Sequence, residues 1–104
     1  MADFGIGILG TGKYLPERIL TNHDLEKMVD TSDEWIVRRT GMKVRHILDD
    51  DVPSYKMGAE AARLAIEDAG LTPLDIDLII VSTEVPDYLS PSMACLIQRE
   101  IKAE

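Results

Sequence analysis

Cysteine is nearly missing from this chain. Cys95 stands alone, so no disulfide can close within it, and a reducing, cytoplasmic setting is expected. Positive charge is scarce as well. Eleven Lys and Arg face nineteen Asp and Glu, for a net charge of −8, which excludes the broad basic face that nucleic-acid binding requires. No apolar run approaches the roughly 20 residues that cross a bilayer, so no membrane segment is expected. The opening MADFGIGILGTGKYLP has no basic stretch ahead of its apolar one, and a secretory leader is not expected either. Internal repeats and low-complexity tracts are lacking. No metal site is expected. Aromatic residues make up 5% of the chain, with one tryptophan, Trp35, whose surroundings therefore stand out.

What is present is an ordinary folding composition, 45% hydrophobic and 29% charged, in 104 residues. That length suits one domain or one piece of a larger one. FGIGILGTG, residues 4–12, reads as a buried strand entering a glycine-rich turn. It contains a literal G-x-G-x-x-G at Gly5, Gly7 and Gly10. Dinucleotide binding needs that motif between a strand and a helix, whereas here Ile and Leu between the glycines are the strand itself.

TNHDLEKMV reads as a short helix capped by Thr21, with Leu25, Met28 and Val29 on one face and His23 on the surface. TSDEWIVRRTG reads as a second helix, with Thr31 and Glu34 as a capping box and Gly41 closing it. MKVRHI alternates as a strand does. SYKMGAEAARLAIEDAG is the clearest helix, capped by Ser54, striped by Met57, Ala61, Leu64 and Ala65, and closed by Gly70. LIIVST, residues 78–83, reads as a strand buried on both faces. PSMACLIQREI reads as a helix capped by Ser90 with Pro91 at its first position. Strand, helices, strand, helix, strand, helix predicts an α/β fold with a largely parallel sheet. So few strands would leave open edges, so the chain reads as part of something larger.

Charge is distributed unevenly. From Trp35 to Leu48 there is no Asp or Glu, while Arg38, Arg39, Lys43 and Arg45 all fall there, with His46 beside them. A small anion site fits this better than an extended field. Thr31, Trp35 and Arg39 are spaced i, i+4, i+8, which places a hydroxyl, an indole and a guanidinium on one helical stripe, with Arg38 flanking. Such a stripe suits a ligand with an aromatic ring and phosphates. A base stacked on an aromatic side chain is worth about 1–3 kcal/mol, and arginine binds phosphate in a bidentate manner. The same spacing also fits half-buried packing of Trp35, with the two arginines complementing the helix dipole. Spacing leaves both readings open.

The ordered series G-T-G-x-Y-L-P, T-N-x-D-L, D-T-S-D-E-W-I-x-x-R-T-G and R-H-I resembles the N-terminal segment of the β-ketoacyl-acyl-carrier-protein synthase III family. The likeness continues through MGAEAARLAIEDAG, DLIIVST and PSMACLIQ, across essentially all of residues 1–104. It implies the N-terminal part of the first α/β half of a thiolase-like fold, incomplete as it stands, and a cytoplasmic homodimer when whole. It implies an acyltransferase that starts fatty-acid synthesis. An acyl group passes from acyl-coenzyme A to a cysteine, then condenses with malonyl-acyl-carrier protein and releases carbon dioxide. Coenzyme A thioester is substrate, and no cofactor is bound permanently.

Carried over residue by residue, Trp35 stacks on the adenine of coenzyme A, and Arg39 and Thr31 contact the same end. The family's catalytic cysteine, histidine and asparagine lie beyond the matched region. No catalytic residue is therefore expected in this chain, and residues 1–104 alone are expected to be inactive. Cys95 matches a non-nucleophilic cysteine and is expected to be buried and structural, and His46 is not the family's catalytic histidine. The EVPDYLSPS loop corresponds to a segment near the acyl pocket and dimer interface. Ser90 stands where some members carry a bulky aromatic, so acyl-chain preference does not carry over. The alternative is a stand-alone coenzyme A-binding or interaction module without catalysis.

Overall fold

The computed structural model describes residues 5–104. Phe4, the first residue of the expected N-terminal strand, lies outside them. The chain divides into two compact units, residues 15–52 and residues 53–104 together with 5–14.

In the unit of residues 15–52, strand β1 (Ile19–Thr21) runs into helix α1 (Asn22–Glu26), followed by helix α2 (Asp33–Thr40) and strand β2 (Val44–His46). The strands pair antiparallel, with Ile19 opposite His46, Leu20 opposite Arg45 and Thr21 opposite Val44. Thr21 caps α1 as expected. Its hydroxyl accepts from the Asp24 N–H at 3.1 Å, and the Asp24 carboxylate accepts from the Thr21 N–H at 3.0 Å. This reciprocal box satisfies two donors that a helix start leaves unpaired. The helix is shorter than its apolar spacing predicted. Met28 and Val29 lie beyond it and are exposed, so they form no packed stripe with Leu25.

The other unit rests on helix α3 (Tyr55–Asp68) packed against helix α4 (Met93–Ile101). Tyr55, Ala59, Met93, Leu96 and Ile97 form its core, joined by Ala62, Val81 and Ile101. On α4 the core positions fall at i, i+3, i+4 and i+8, the spacing of a single helical face. A fully buried Met, Leu or Ile contributes about 1.5–3 kcal/mol by leaving water. The buried face of α3 is therefore Tyr55, Ala59 and Ala62, not the expected Met57–Ala61–Leu64–Ala65 stripe.

That second stripe has another neighbour, the glycine-rich segment. A Cβ on Gly12 would lie 2.5 Å from the Ala65 nitrogen, and one on Gly10 would lie 2.6 Å from the Ala69 nitrogen and 2.8 Å from its Cβ. The segment thus lies directly on the helix backbone, and the Thr11 N–H donates to Asp68 at 2.9 Å. These two glycines serve close packing, in keeping with the rejection of a phosphate loop.

The α/β class holds, but no parallel sheet is seen among the described residues, whose one ladder is the antiparallel β1–β2 pair. Residues 5–12 and 76–83 have no ladder partner, and a strand exists only through one. The 78–83 run is also not buried on both faces. Leu78 and Ile80 are 74% and 83% exposed, whereas Ile79 and Val81 are partly covered, so one face packs and the other is open. Two caps differ from expectation. Ser92, not Ser90, caps α4, its hydroxyl accepting from the Cys95 N–H at 3.3 Å. Ser54 makes no side-chain cap. The Asp87 carboxylate, 33 residues further along, accepts from the Ser54 and Tyr55 N–H groups at 2.8 and 2.7 Å instead.

Candidate functional site

Helix α2 carries the candidate site, and the residues before it explain its start. Ser32 is the N-cap, and its Oγ accepts from the Trp35 N–H at 3.2 Å. Asp33 and Glu34 occupy the first turn, where acidic side chains complement the dipole, and Arg38 and Arg39 occupy the last. Gly41 ends the helix at φ 72°, a left-handed conformation that favours glycine. The expected capping box of Thr31 and Glu34 is not formed; a one-way cap by Ser32 takes its place one residue on, with Trp35 at the third helical position unable to return the bond. Thr31 precedes the cap and is not helical, because Ser32 offers the hydroxyl at the position that reaches the Trp35 N–H.

One face of α2 turns inward through Ile36, which is buried. Trp35 points outward and is 52% exposed. The Arg39 guanidinium lies over the indole, 5.8 Å from its centroid, within cation–π range. Asp30, Thr31, Ser32 and Trp35 line an open depression of about 330 Å3. Thr31 and Trp35 thus share a depression, and Trp35 and Arg39 share a contact. Trp35 is common to both, but Arg39 is not among the residues that line the depression, and no contact joins Thr31, ahead of the helix, to Arg39 in its last turn.

The Arg39 guanidinium beside the indole makes no ion pair among the described residues. Among the described residues Arg38, Arg39, Lys43 and Arg45 make no ion pair with a carboxylate, which they share with Lys13, Lys56, Arg99 and Lys102; of the lysines and arginines only Arg18, Lys27 and Arg63 are paired. An exposed indole beside unpaired guanidinium groups can stack a planar ring and bind anions. Half of the indole faces solvent, which leaves one part of it open to a ligand and is equally what half-buried packing gives.

Several residues that organise the site were not read from the sequence. Asn22 is the one buried polar residue among those described, 1% exposed. Its amide donates to Asp33 Oδ1 and to the Met42 carbonyl, each at 2.8 Å, and its carbonyl oxygen accepts from Arg45. Glu26 accepts from the Asp33 N–H at 2.7 Å and pairs with His23 at 3.0 Å. The hydrogen bond from His23, then that from the Asp33 backbone, lowers the Glu26 carboxyl; in turn the bond to Glu26 and its charge raise the His23 imidazole. The strings T-N-x-D-L and D-T-S-D-E-W contain Asn22 and Asp33, but the pairing spans eleven residues and is invisible to local periodicity.

Elsewhere the chemistry is sparse. Cys95 is exposed, which corrects the expectation of a buried thiol. It sits on α4 between the core positions Met93, Leu96 and Ile97, so the helix turns it outward, and its sulfur accepts from the Ser92 hydroxyl at 3.2 Å. A second depression of about 250 Å3, lined in part by Ile79, Ala94, Cys95 and Gln98, has no cationic side chain on its walls and does not suit phosphate. His46 is a surface residue whose Nδ1 lies 2.7 Å from the Pro16 carbonyl, and so donates to it. Among the described residues no group of three His, Cys, Asp or Glu side chains could hold a metal, and no helix is long and apolar enough to cross a membrane.

No family model matches the chain. Individual proteins do. The chain is 54% identical over 99 residues to "Beta-ketoacyl-[acyl-carrier-protein] synthase III 1" of Bacillus anthracis, covering 95% of this chain and 32% of that protein. It is 58% identical over 97 residues to the synthase III of Caldanaerobacter subterraneus subsp. tengcongensis, covering 93% and 29%. The crystal structure of 3-oxoacyl-[acyl-carrier-protein] synthase III from Aquifex aeolicus VF5 superposes with a TM-score of 0.88 at 50% identity, covering 96% of this chain and 32% of that one. The chain therefore spans about a third of the length of these relatives. Over that third it is a homologue of β-ketoacyl-acyl-carrier-protein synthase III, with the corresponding part of the thiolase-like α/β fold.

Proposed function

We propose that this synthase III homologue supplies the coenzyme A-gripping part of a condensing acyltransferase. The observation that carries the reading is the exposed Trp35 with Arg39 over its ring and Thr31 in the adjoining depression. Trp35 provides the surface on which adenine stacks. Arg39, free of carboxylates, provides charge for the nucleotide's phosphates. Thr31 offers a hydroxyl to the same end of the ligand. The overall charge of −8 would repel a polyphosphate; the window after Trp35 has no Asp or Glu, so the charge for the phosphates comes from the Arg39 side, away from Asp30, Asp33 and Glu34.

The wider reading is what the family resemblance implies, and the relatives' names support its synthase part alone. As a whole protein, the acyl group of acyl-coenzyme A moves to a cysteine and is condensed with malonyl-acyl-carrier protein, in a cytoplasmic homodimer. Nucleophilic catalysis of that kind needs an activated thiolate. None of the residues gathered at α2 supplies one. Ser32 spends its hydroxyl lone pair on the helix start, and Thr31 binds rather than attacks.

Titration of the chain with coenzyme A, followed by the fluorescence of its single tryptophan, tests the platform. Saturable quenching is expected. Arg39→Ala should weaken binding about 10- to 100-fold, the loss of a charge-assisted contact. An unresponsive Trp35 removes the platform reading. Mass spectrometry after incubation with acyl-coenzyme A tests the division of labour, since a covalent acyl adduct on this chain contradicts a purely binding role.

A further inference from the structure

We propose that Asn22 is the positioning residue of this platform: its buried side chain fastens Asp33, at the start of α2, to the β2 end of the unit through Met42 and Arg45, and so sets the turn that presents Thr31, Ser32 and Trp35. The ligand-binding half of this inference rests on the coenzyme A reading above. The positioning half rests on geometry alone.

The side chain of Asn22 is 1% exposed and uses both amide hydrogens and its oxygen. The partners lie 11, 20 and 23 residues away in sequence. Its backbone N–H also donates to the Lys43 carbonyl at 3.3 Å. One residue thereby ties α1, α2 and the approach to β2. A helix as short as α2, with Ile36 its one buried residue, has little apolar contact to fix its direction. A buried polar network with every member paired is directional and can do so.

The bond that matters most is the one to Asp33. Asp33 is the first helical residue, directly after the cap Ser32 and two before Trp35. Its carboxylate is held by Asn22 and its N–H by Glu26, so the first turn of α2 is gripped by the two ends of one face of α1. The same grip holds the Asp33 carboxylate on a neutral amide and leaves the cations near Trp35 available. An apolar residue of similar shape at position 22 would leave Asp33, the Met42 carbonyl and Arg45 without partners, a loss larger than that of the bonds themselves.

Two variants decide the matter. Asn22→Asp places a carboxylate against Asp33 and removes both donors. The exchange N22D/D33N restores that bond with reversed polarity, the new amide at 33 donating to the new carboxylate at 22, and keeps the Arg45 contact. Amide hydrogen exchange reports positioning without any ligand, at the Trp35 N–H that bonds to Ser32. The Gly41 and Ile47 N–H groups, bonded to Val37 and Arg18, are internal controls for the helix end and the strand pair. Fluorescence titration with coenzyme A reports function.

Asn22→Asp is expected to speed exchange at Trp35 and raise the coenzyme A Kd about tenfold, with the controls little changed. The double variant is expected to return both to within about threefold, the coupling that a mutant cycle isolates. Unchanged exchange at Trp35 overturns the inference. Equal acceleration at Trp35, Gly41 and Ile47 also overturns it, leaving Asn22 a residue of the fold. If the unsubstituted chain fails to bind coenzyme A, the platform reading falls together with Asn22's part in ligand binding, while the exchange pattern still decides the clamp. Should Asn22→Asp not fold, Asp33→Ala removes one arm and leaves the Met42 and Arg45 contacts. It is expected to loosen the Trp35 amide in the same way, and overturns the proposal if it does not.

Discussion

The two units of this chain are held together by different forces. Residues 53–104 with 5–14 rely on volume: Tyr55, Ala59, Met93, Leu96 and Ile97 exclude water between two helices. Residues 15–52 rely on direction: Asn22, Asp33, Arg45, Glu26 and Ser32 aim hydrogen bonds at one another, and Ile36 is the one apolar side chain of α2 that is buried. The difference fits the coenzyme A platform proposed for α2. A nucleotide platform needs an indole and cations in the open, so it cannot be built on a face that hides apolar surface. It is set in place by polar contacts instead. Volume tolerates small displacements of a side chain, whereas hydrogen-bond geometry does not, so the directional unit is the one suited to fixing a ring and a guanidinium.

The contrast is most easily broken at Leu96. Leu96→Ala should cost about 2–5 kcal/mol in denaturant unfolding, through lost burial and the cavity left behind. A cost below about 1 kcal/mol would mean that the helix pair is not packed as described. Next in size is Gly12→Ala, which drives a methyl group into the backbone of α3 and should cost about 1–3 kcal/mol by the same measurement.

A smaller effect sharpens the contrast, because it lies in the volume-held unit yet is polar. Asp87 caps α3. Burial pushes its carboxyl up, but the bonds from Ser54 and Tyr55 outweigh this and leave it below the usual carboxylate value. A depressed folded pKa gives stability that is present above the unfolded value of about 3.9 and is lost as pH falls through the folded one. Asp87→Ala should cost about 1 kcal/mol at neutral pH and remove this acid dependence from the Tyr55 amide signal in NMR titrations. The smallest effect is at His23, which titrates above its ordinary value of 6.5 because of Glu26. Its contribution is complete below that value and is lost as pH rises through the folded pKa. Glu26→Gln should return the imidazole resonance to an ordinary titration. An unchanged midpoint would show that the pair is not formed in solution.

Much of this was legible from local pattern. The helices over 33–40, 55–68 and 93–101 follow from periodicity, with Gly41 and Gly70 closing two of them as expected, while each of their N-terminal caps differs from the expected one. What escaped is non-local or a choice between equals. Two adjacent hydroxyls, Thr31 and Ser32, fit the same capping pattern, and only the geometry of the turn selects Ser32. The cap of α3 comes from Asp87 across 33 residues. The apolar stripe of α3 was assigned to Met57, Ala61, Leu64 and Ala65, but alanine-rich helices present two faces of similar hydrophobicity, and the partner helix takes the other. Cys95 looked buried because free cysteines usually are, yet its place among the core positions of α4 turns it outward. The strand expectation at 78–83 rested on composition, and ladder partners cannot be read from composition.

The four glycines of the first segment have unequal mutational fates. Around Gly5 and Gly7 a Cβ would meet nothing within 4 Å, whereas at Gly10 and Gly12 it would meet the main chain of α3. Every amino acid except glycine carries a Cβ. Any missense change in the codons for residues 10 and 12 therefore meets the same obstacle, whatever base is altered, while at residues 5 and 7 no atom of residues 5–104 stands in the way.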